Sequence, residues 1–152
     1  MIIDPRNRTF RVLFLFSCRF IFFYVIICFI LLTGAGSGTF ANTFIPPYTW
    51  LGEYEGEVFP FDDEDIVTEY CWQIYRNDTL THYIDAARIE TSNWVRWVNC
   101  PRNALEENVK GVYCLGKVYY VSFKPILPGQ ELFVYYGDDY AEVLGIDPEE
   151  FW

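Results

Sequence analysis

Trp94-Val95-Arg96-Trp97-Val98-Asn99-Cys100-Pro101-Arg102 carries an aromatic, apolar run onto a polar Asn-Cys step. A second stretch answers it. Pro128-Gly129-Gln130-Glu131-Leu132-Phe133-Val134-Tyr135-Tyr136-Gly137 is a turn feeding a short apolar strand that stops at two tyrosines and a glycine. The two read as halves of one active site, and the remaining chain as what holds them together. Ser92 or Asn93 is placed to cap a short helix through Val98. Pro128-Gly129 is a turn, and Glu131–Tyr136 is expected to be a strand.

Outward from these stretches the texture is all-β. Thr39–Ile45 reads as a short strand and Pro46-Pro47 as a turn. Thr49–Phe59 reads as extended chain with bends or bulges at Gly52 and Gly56. Tyr70–Tyr75 and Thr81–Asp85 flank Arg76-Asn77-Asp78 as a hairpin. Val109–Leu115 and Lys117–Phe123 flank Gly116 as a second one. Asp138–Leu144 is expected to be a short helix, with acid at its start and Gly145 at its end. Many short strands with little helix predict a β-rich fold.

Residues 12–32 stand apart. They are almost wholly apolar and as a helix would span about 30 Å, a bilayer core. Three arginines precede the run and Thr33-Gly34-Ala35-Gly36-Ser37-Gly38 follows it. One reading is a transmembrane or signal segment; the preferred one is a stretch outside the working fold, such as a misplaced start of the coding sequence. The expected division is therefore residues 1–33 as an N-terminal hydrophobic segment, 34–146 as one folded domain and 147–152 as a tail.

Charge narrows the partners. Of the chain's 11 basic and 21 acidic side chains, residues 34–152 hold seven and twenty, a net of −13. Such a domain repels phosphate backbones, which argues against direct nucleic-acid binding and for basic protein or peptide partners. The acidic run Asp62-Asp63-Glu64-Asp65 could guide a basic tail. The five cysteines are widely spaced with no CxxC, and His82 is the only histidine, so no metal site is expected within the chain.

Four motifs in this order resemble the SET domain, and specifically its PR-domain branch of histone-lysine methyltransferases, most of all members that methylate histone H3. Ala35-Gly36-Ser37-Gly38-Thr39-Phe40-Ala41 resembles the glycine turn that opens the family's methyl-donor site. Gly52-Glu53-Tyr54-Glu55-Gly56-Glu57 is similar to its Tyr-x-Gly strand. Trp94–Cys100 is similar to the PR version of its Asn-His-Ser-Cys motif, without the His-Ser pair. Glu131–Tyr140 resembles its C-terminal catalytic strand. The likeness covers Gly34 to about Ile146. It implies a fold of short curved β-sheets with a pseudo-knot and a few short helices.

The resemblance also implies a chemistry: transfer of a methyl group from S-adenosylmethionine to a lysine amine of a histone tail, in the nucleus. Its donor-side residues here are Ala35, Gly36, Ser37, Gly38, Tyr70, Asn99 and Cys100. Ser37 replaces a residue that is more often large and apolar. The expected catalytic tyrosine is Tyr136, with Tyr54 and Tyr120 beside it around the lysine channel and Trp72 shaping the peptide groove. Three hydroxyls around one amine can orient it, and ring faces favour a cation. For Trp72, an ordinary place in the β-core stands equally open. The alternative to an enzyme is a catalytically silent PR domain acting as a chromatin interaction module. A membrane partner follows only if residues 12–32 are a genuine anchor.

Overall fold

The computed structural model describes residues 25–30, 36–62, 68–138, 140 and 145. Among them are eight strands: β1 Val25–Ile30, β2 Gly36–Ala41, β3 Trp50–Glu53, β4 Glu57–Pro60, β5 Cys71–Arg76, β6 Thr79–Asp85, β7 Val109–Cys114 and β8 Lys117–Ser122. Two short 3-10 turns, Ile89–Thr91 and Trp94–Trp97, stand between β6 and β7. The strands pair antiparallel in three small sheets, ordered β1-β2, β3-β8-β7 and β4-β6-β5. This is the β-rich architecture that the turn spacing predicts.

Both hairpins form where the sequence places them, and both use left-handed two-residue turns. Asn77 and Asp78 have φ of 50° and 59°, and Leu115 and Gly116 have 51° and 83°. Positive φ at both central residues matches the right-handed twist of the flanking strands. Asn and Asp accept that conformation readily. Leu115 does not, and its side chain stands 87% exposed at the tip.

Alternation along the strands builds the core. In β5 Trp72 and Ile74 point inward, and in β8 Val118, Tyr120 and Ser122 do. All but Ser122 meet Leu51, Tyr54, Val95, Val98, Val109 and Val134 in one cluster. Each such burial stabilises by about 1.5–3 kcal/mol. Gly111 makes room for the largest of them: a Cβ there would lie 2.5 Å from the Trp72 ring. Gly52 marks a register shift between β3 and β8, the bulge expected of it. The Pro46-Pro47 turn is locked by buried Ser122, whose hydroxyl donates to the Pro46 carbonyl at 2.7 Å and accepts from the Thr49 amide at 3.0 Å.

The structure departs from the sequence reading in three places. Val25–Ile30 pairs with β2 in continuous register, from Val25 opposite Ala41 to Ile30 opposite Gly36. The boundary drawn at Gly34 is thus too late: part of the apolar run is a strand, and Gly36-Ser37-Gly38, expected as a turn, lie inside β2 as its partner. Periodicity alone does not separate a continuous apolar run into strand or helix. Among the described residues no helix is long and apolar enough to cross a membrane. Second, Glu131–Tyr136 is not a regular strand but a series of isolated bridges, because its two edges face different segments. Third, the helix ending at Val98 is a single 3-10 turn, capped by the Asn93 side chain, which accepts from the Val95 amide. Of the expected helix over 138–144, Asp138 and Tyr140 are helical and the rest lies outside the described residues, as do Asp63, Glu64, Asp65 and Ala35.

Candidate active site

Three segments meet where the two opening stretches pack together. Residues 130–132 run antiparallel to β2: the Ala41 amide donates to Gln130 O at 2.8 Å and the Leu132 amide to Thr39 O at 2.8 Å. At Phe133-Val134 the partners change. The Val134 amide donates to Asn99 O at 3.0 Å on one edge, and Phe133 O accepts from the Val109 amide at 2.9 Å on the other. Both contacts are parallel bridges. The C-terminal segment therefore passes between the two ends of the loop 99–109, an exception to the usual avoidance of threading. Asn108 completes the grip. Its side chain donates to Glu131 O at 2.8 Å and accepts from the Phe133 amide at 2.9 Å, pairing like a strand neighbour.

Asn99 lies at the centre of the junction. Its Nδ2 donates to Ser37 O at 3.1 Å and to Glu131 Oε1 at 2.9 Å. One side chain thus joins β2 to the threaded segment. Next to it, burial pushes the Cys100 thiol up to about 11, although a hydrogen bond from the Tyr136 backbone acts against the rise. Cys100 is thereby a neutral thiol at physiological pH rather than a nucleophile.

Tyr136 ends the threaded segment. Its hydroxyl donates to Val98 O at 2.6 Å, directly before the Asn-Cys step, and its ring meets Tyr140 edge-on at 4.9 Å. Burial raises its pKa well above the usual phenol value, and the nearby Tyr54, Cys100 and Tyr140 add to the rise. The phenol stays protonated and can donate.

The other predicted aromatics form a packed triangle. Tyr54, Trp72 and Tyr120 have ring centroids 5.7 to 5.9 Å apart. Trp72 Nε1 donates to the Tyr120 hydroxyl at 3.2 Å, and the Tyr54 hydroxyl donates to Tyr70 O at 2.8 Å. All three are buried. Burial raises the pKa of Tyr54 and Tyr120, and each lies close enough to Tyr136 for their phenols to influence one another. The three predicted tyrosines therefore converge, with Tyr136 on the more open side. Trp72 is part of the core beneath them.

Sequence reasoning passed over four residues that shape this site. Arg96 is buried, its guanidinium carbon 4.4 Å from the Tyr70 ring centre and 4.1 Å from that of Trp97. It donates to Ala86 O at 2.7 Å and Ala87 O at 3.0 Å, while Nη1 has no hydrogen-bond partner among the described residues. Glu107 is buried too; it pairs with Lys110 and accepts from the Tyr135 amide at 3.3 Å. Tyr140 and Glu131 complete the set. An arginine inside an aromatic run, and a carboxylate opening an apolar strand, were the available signals.

The comparisons with known proteins agree with this arrangement. Residues 27–147 match the family described as "PR domain zinc finger protein 2, PR domain". The chain belongs to the PR/SET family. The match begins inside β1, in keeping with β1 and β2 both belonging to the folded domain. This PR/SET chain is 38% identical over 110 residues to histone-lysine N-methyltransferase set-17 of Caenorhabditis elegans, covering 72% of this chain and 39% of that protein. It is 36% identical over 115 residues to PR domain zinc finger protein 14 of Homo sapiens, covering 72% and 19%. The chain thus spans well under half the length of these relatives. Among solved structures, the methyltransferase domain of human PR domain-containing protein 2 superposes with a TM-score of 0.64 at 28% identity, covering 77% of this chain and 80% of that one. A Chaetomium Polycomb Repressive Complex 2 bound to S-adenosylmethionine shares the fold, with a TM-score of 0.60 at 23% identity, over 80% of this chain and 16% of that one. The family therefore includes histone-lysine methyltransferases.

The buried and half-buried phenols and thiols of the PR/SET domain have a consequence for stability. Cys71 and Cys100 are each raised from 9.0 to about 11 by burial, and Tyr54, Tyr120 and Tyr136 are raised from 10.0. Above pH 9 the unfolded chain gives up thiol protons that the folded chain keeps, and above pH 10 phenol protons as well. The folded state then binds more protons than the unfolded one, so stability falls as pH rises. The urea midpoint should be level from pH 6 to about 8.5, fall from about pH 9 and steepen above about pH 10. A midpoint unchanged up to pH 11 would contradict the burial of these groups.

Proposed function

We propose that this PR/SET domain is a protein-lysine methyltransferase that uses S-adenosylmethionine and acts on lysine of a histone tail, histone H3 in the first instance, in the nucleus. One observation carries the reading. The Tyr136 hydroxyl sits on Val98 O, so the lysine-side tyrosine and the donor-side Asn99-Cys100 step form a single wall.

The donor fits the residues present. Asn99 has both amide hydrogens engaged, and its Oδ1, which accepts from none of the described residues, is the atom that would accept from an ammonium group. Ser37-Gly38 and Cys100 adjoin Asn99, and Tyr70 offers a ring. Bound there, S-adenosylmethionine supplies a sulfonium methyl as the electrophile. The chain's own work is positioning: the Tyr136 hydroxyl, its proton given to Val98 O, orients the neutral lysine amine through an oxygen lone pair, and the Tyr54 and Tyr120 rings exclude water around it. The acidic surface favours a basic tail as substrate and disfavours nucleic acid.

A second reading, a silent PR domain acting as a chromatin interaction module, is favoured by a different observation. All three tyrosine hydroxyls are already engaged: Tyr54 by Tyr70 O, Tyr120 by the Trp72 indole and Tyr136 by Val98 O. Calorimetry of the full chain with S-adenosylmethionine separates the two. The enzyme reading expects saturable binding below about 1 mM. Absence of binding at that concentration favours the interaction module.

A further inference from the structure

Glu131 lies on the threaded segment, 32 positions from Asn99 in sequence, yet it decides how that residue can point. A side-chain amide has two orientations differing by a half-turn, with N–H donors on one side and a carbonyl oxygen on the other. At Asn99 the two neighbours are both acceptors: Ser37 O at 3.1 Å and Glu131 Oε1 at 2.9 Å. Only Nδ2 can face them, because the turned amide would set oxygen against two oxygens and leave its donors without these partners. Ser37 contributes through its backbone, so Glu131 supplies the one side chain in the arrangement that substitution can remove.

We infer that Glu131 is a positioning residue for the methyl donor: its carboxylate, together with the Ser37 carbonyl, locks the Asn99 amide so that Oδ1 is presented to the ammonium of the donor's amino acid end. The inference rests on the donor-binding reading above and adds to it the group that selects the amide orientation. Around Glu131 stand Arg102, which stabilises its charge, and Glu106, which opposes it. Burial raises its carboxyl, with the Asn99 hydrogen bond acting against the rise. The lock does not depend on that titration, since a protonated carboxyl still offers a carbonyl oxygen to Nδ2. Glu131 also borders a cleft of about 270 Å³ with Glu106, Asn108 and Lys124, so a shorter side chain leaves space that water can enter.

The test compares Glu131→Gln, which keeps an acceptor oxygen, with Glu131→Leu, which removes it, in the full chain. Two ligands are titrated: S-adenosylmethionine, and 5′-methylthioadenosine, which lacks the amino acid end. Glu131→Leu should weaken S-adenosylmethionine about tenfold and leave 5′-methylthioadenosine within about twofold, the scale of one hydrogen bond. Glu131→Gln should stay within about twofold of wild type for both. The Asn99 side-chain amide signal, read by NMR without ligand, should shift in Glu131→Leu and stay in Glu131→Gln. Equal weakening of both ligands, no weakening of either, or failure of Gln to rescue overturns the proposal. A wild-type chain that binds no donor overturns it together with the donor reading. That case is recognised because the Asn99 amide signal still responds to Glu131→Leu.

Discussion

Tyr136→Phe is expected to lower methyl transfer to a histone H3 peptide by about 100-fold, in kcat rather than KM, while donor affinity stays within about threefold of wild type. The scale is that of a reacting group left about 1 Å out of place. The substitution removes one oxygen. The ring that packs edge-on against Tyr140 at 4.9 Å is kept, so the wall of the site keeps its shape. What is lost is the hydroxyl on Val98 O at 2.6 Å. Its loss costs about 1 kcal/mol of stability, a melting shift of several degrees that leaves the domain folded. The catalytic loss follows if this hydroxyl orients the amine, because Phe offers the lysine nothing to align on. Burial holds the Tyr136 phenol protonated, so below about pH 10 the wild-type rate should owe no pH dependence to this group. A variant within threefold of the wild-type rate would remove Tyr136 from the reaction and leave Tyr54 or Tyr120 as the orienting group.

What could be read from the chain follows a physical division. The hairpins were legible because Asn77-Asp78 and Gly116 break strand patterns with residues placed at the turn itself; Leu115, read as strand, joins Gly116 in the turn. The meeting of the Asn99 and Tyr136 stretches was legible because each ends a contiguous run of recognisable character. Two residues 37 positions apart could be paired because the family resemblance spans both. Strand β1 was not legible: Val25–Ile30 lies inside an apolar run in which neither a period of two nor one of 3.6 stands out. Glu131 and Arg96 were missed for a different reason. Their partners are backbone oxygens or an amide far away in sequence, and no local pattern announces such contacts. The threaded segment was misjudged as a regular strand because its local composition is that of one. Only the tertiary arrangement gives its two edges different partners.

Arg96→Ala should have the largest effect on stability, about 3–5 kcal/mol against the 5–15 kcal/mol typical of a whole domain. The guanidinium is buried between the rings of Tyr70 and Trp97 and bonded to the carbonyls of Ala86 and Ala87. Hydrogen bonds to a charged group are worth about 1.5–3 kcal/mol each, and two desolvated ring contacts add about 1–2 kcal/mol each. Opposing them is the cost of taking a charge out of water, several kcal/mol, with Nη1 left unpartnered among the described residues. Truncation does not recover the favourable side: it leaves two carbonyls without their donors and a cavity between two rings. Arg96→Met fills that space without the charge and so separates the effects. If the hydrogen bonds dominate, Met should lose about 2 kcal/mol or more; if desolvation dominates, Met should equal the wild type. Urea midpoints decide, and an Ala variant within about 1 kcal/mol of wild type would refute the clamp. Donor affinity provides a second reading of the same contact. Arg96 packs on the ring of Tyr70, which belongs to the proposed donor side, so the folded fraction of the Met variant should bind S-adenosylmethionine more weakly than wild type. The residue between the two rings would then link the stability of the aromatic run at Trp94–Trp97 to the proposed donor site that begins at Asn99.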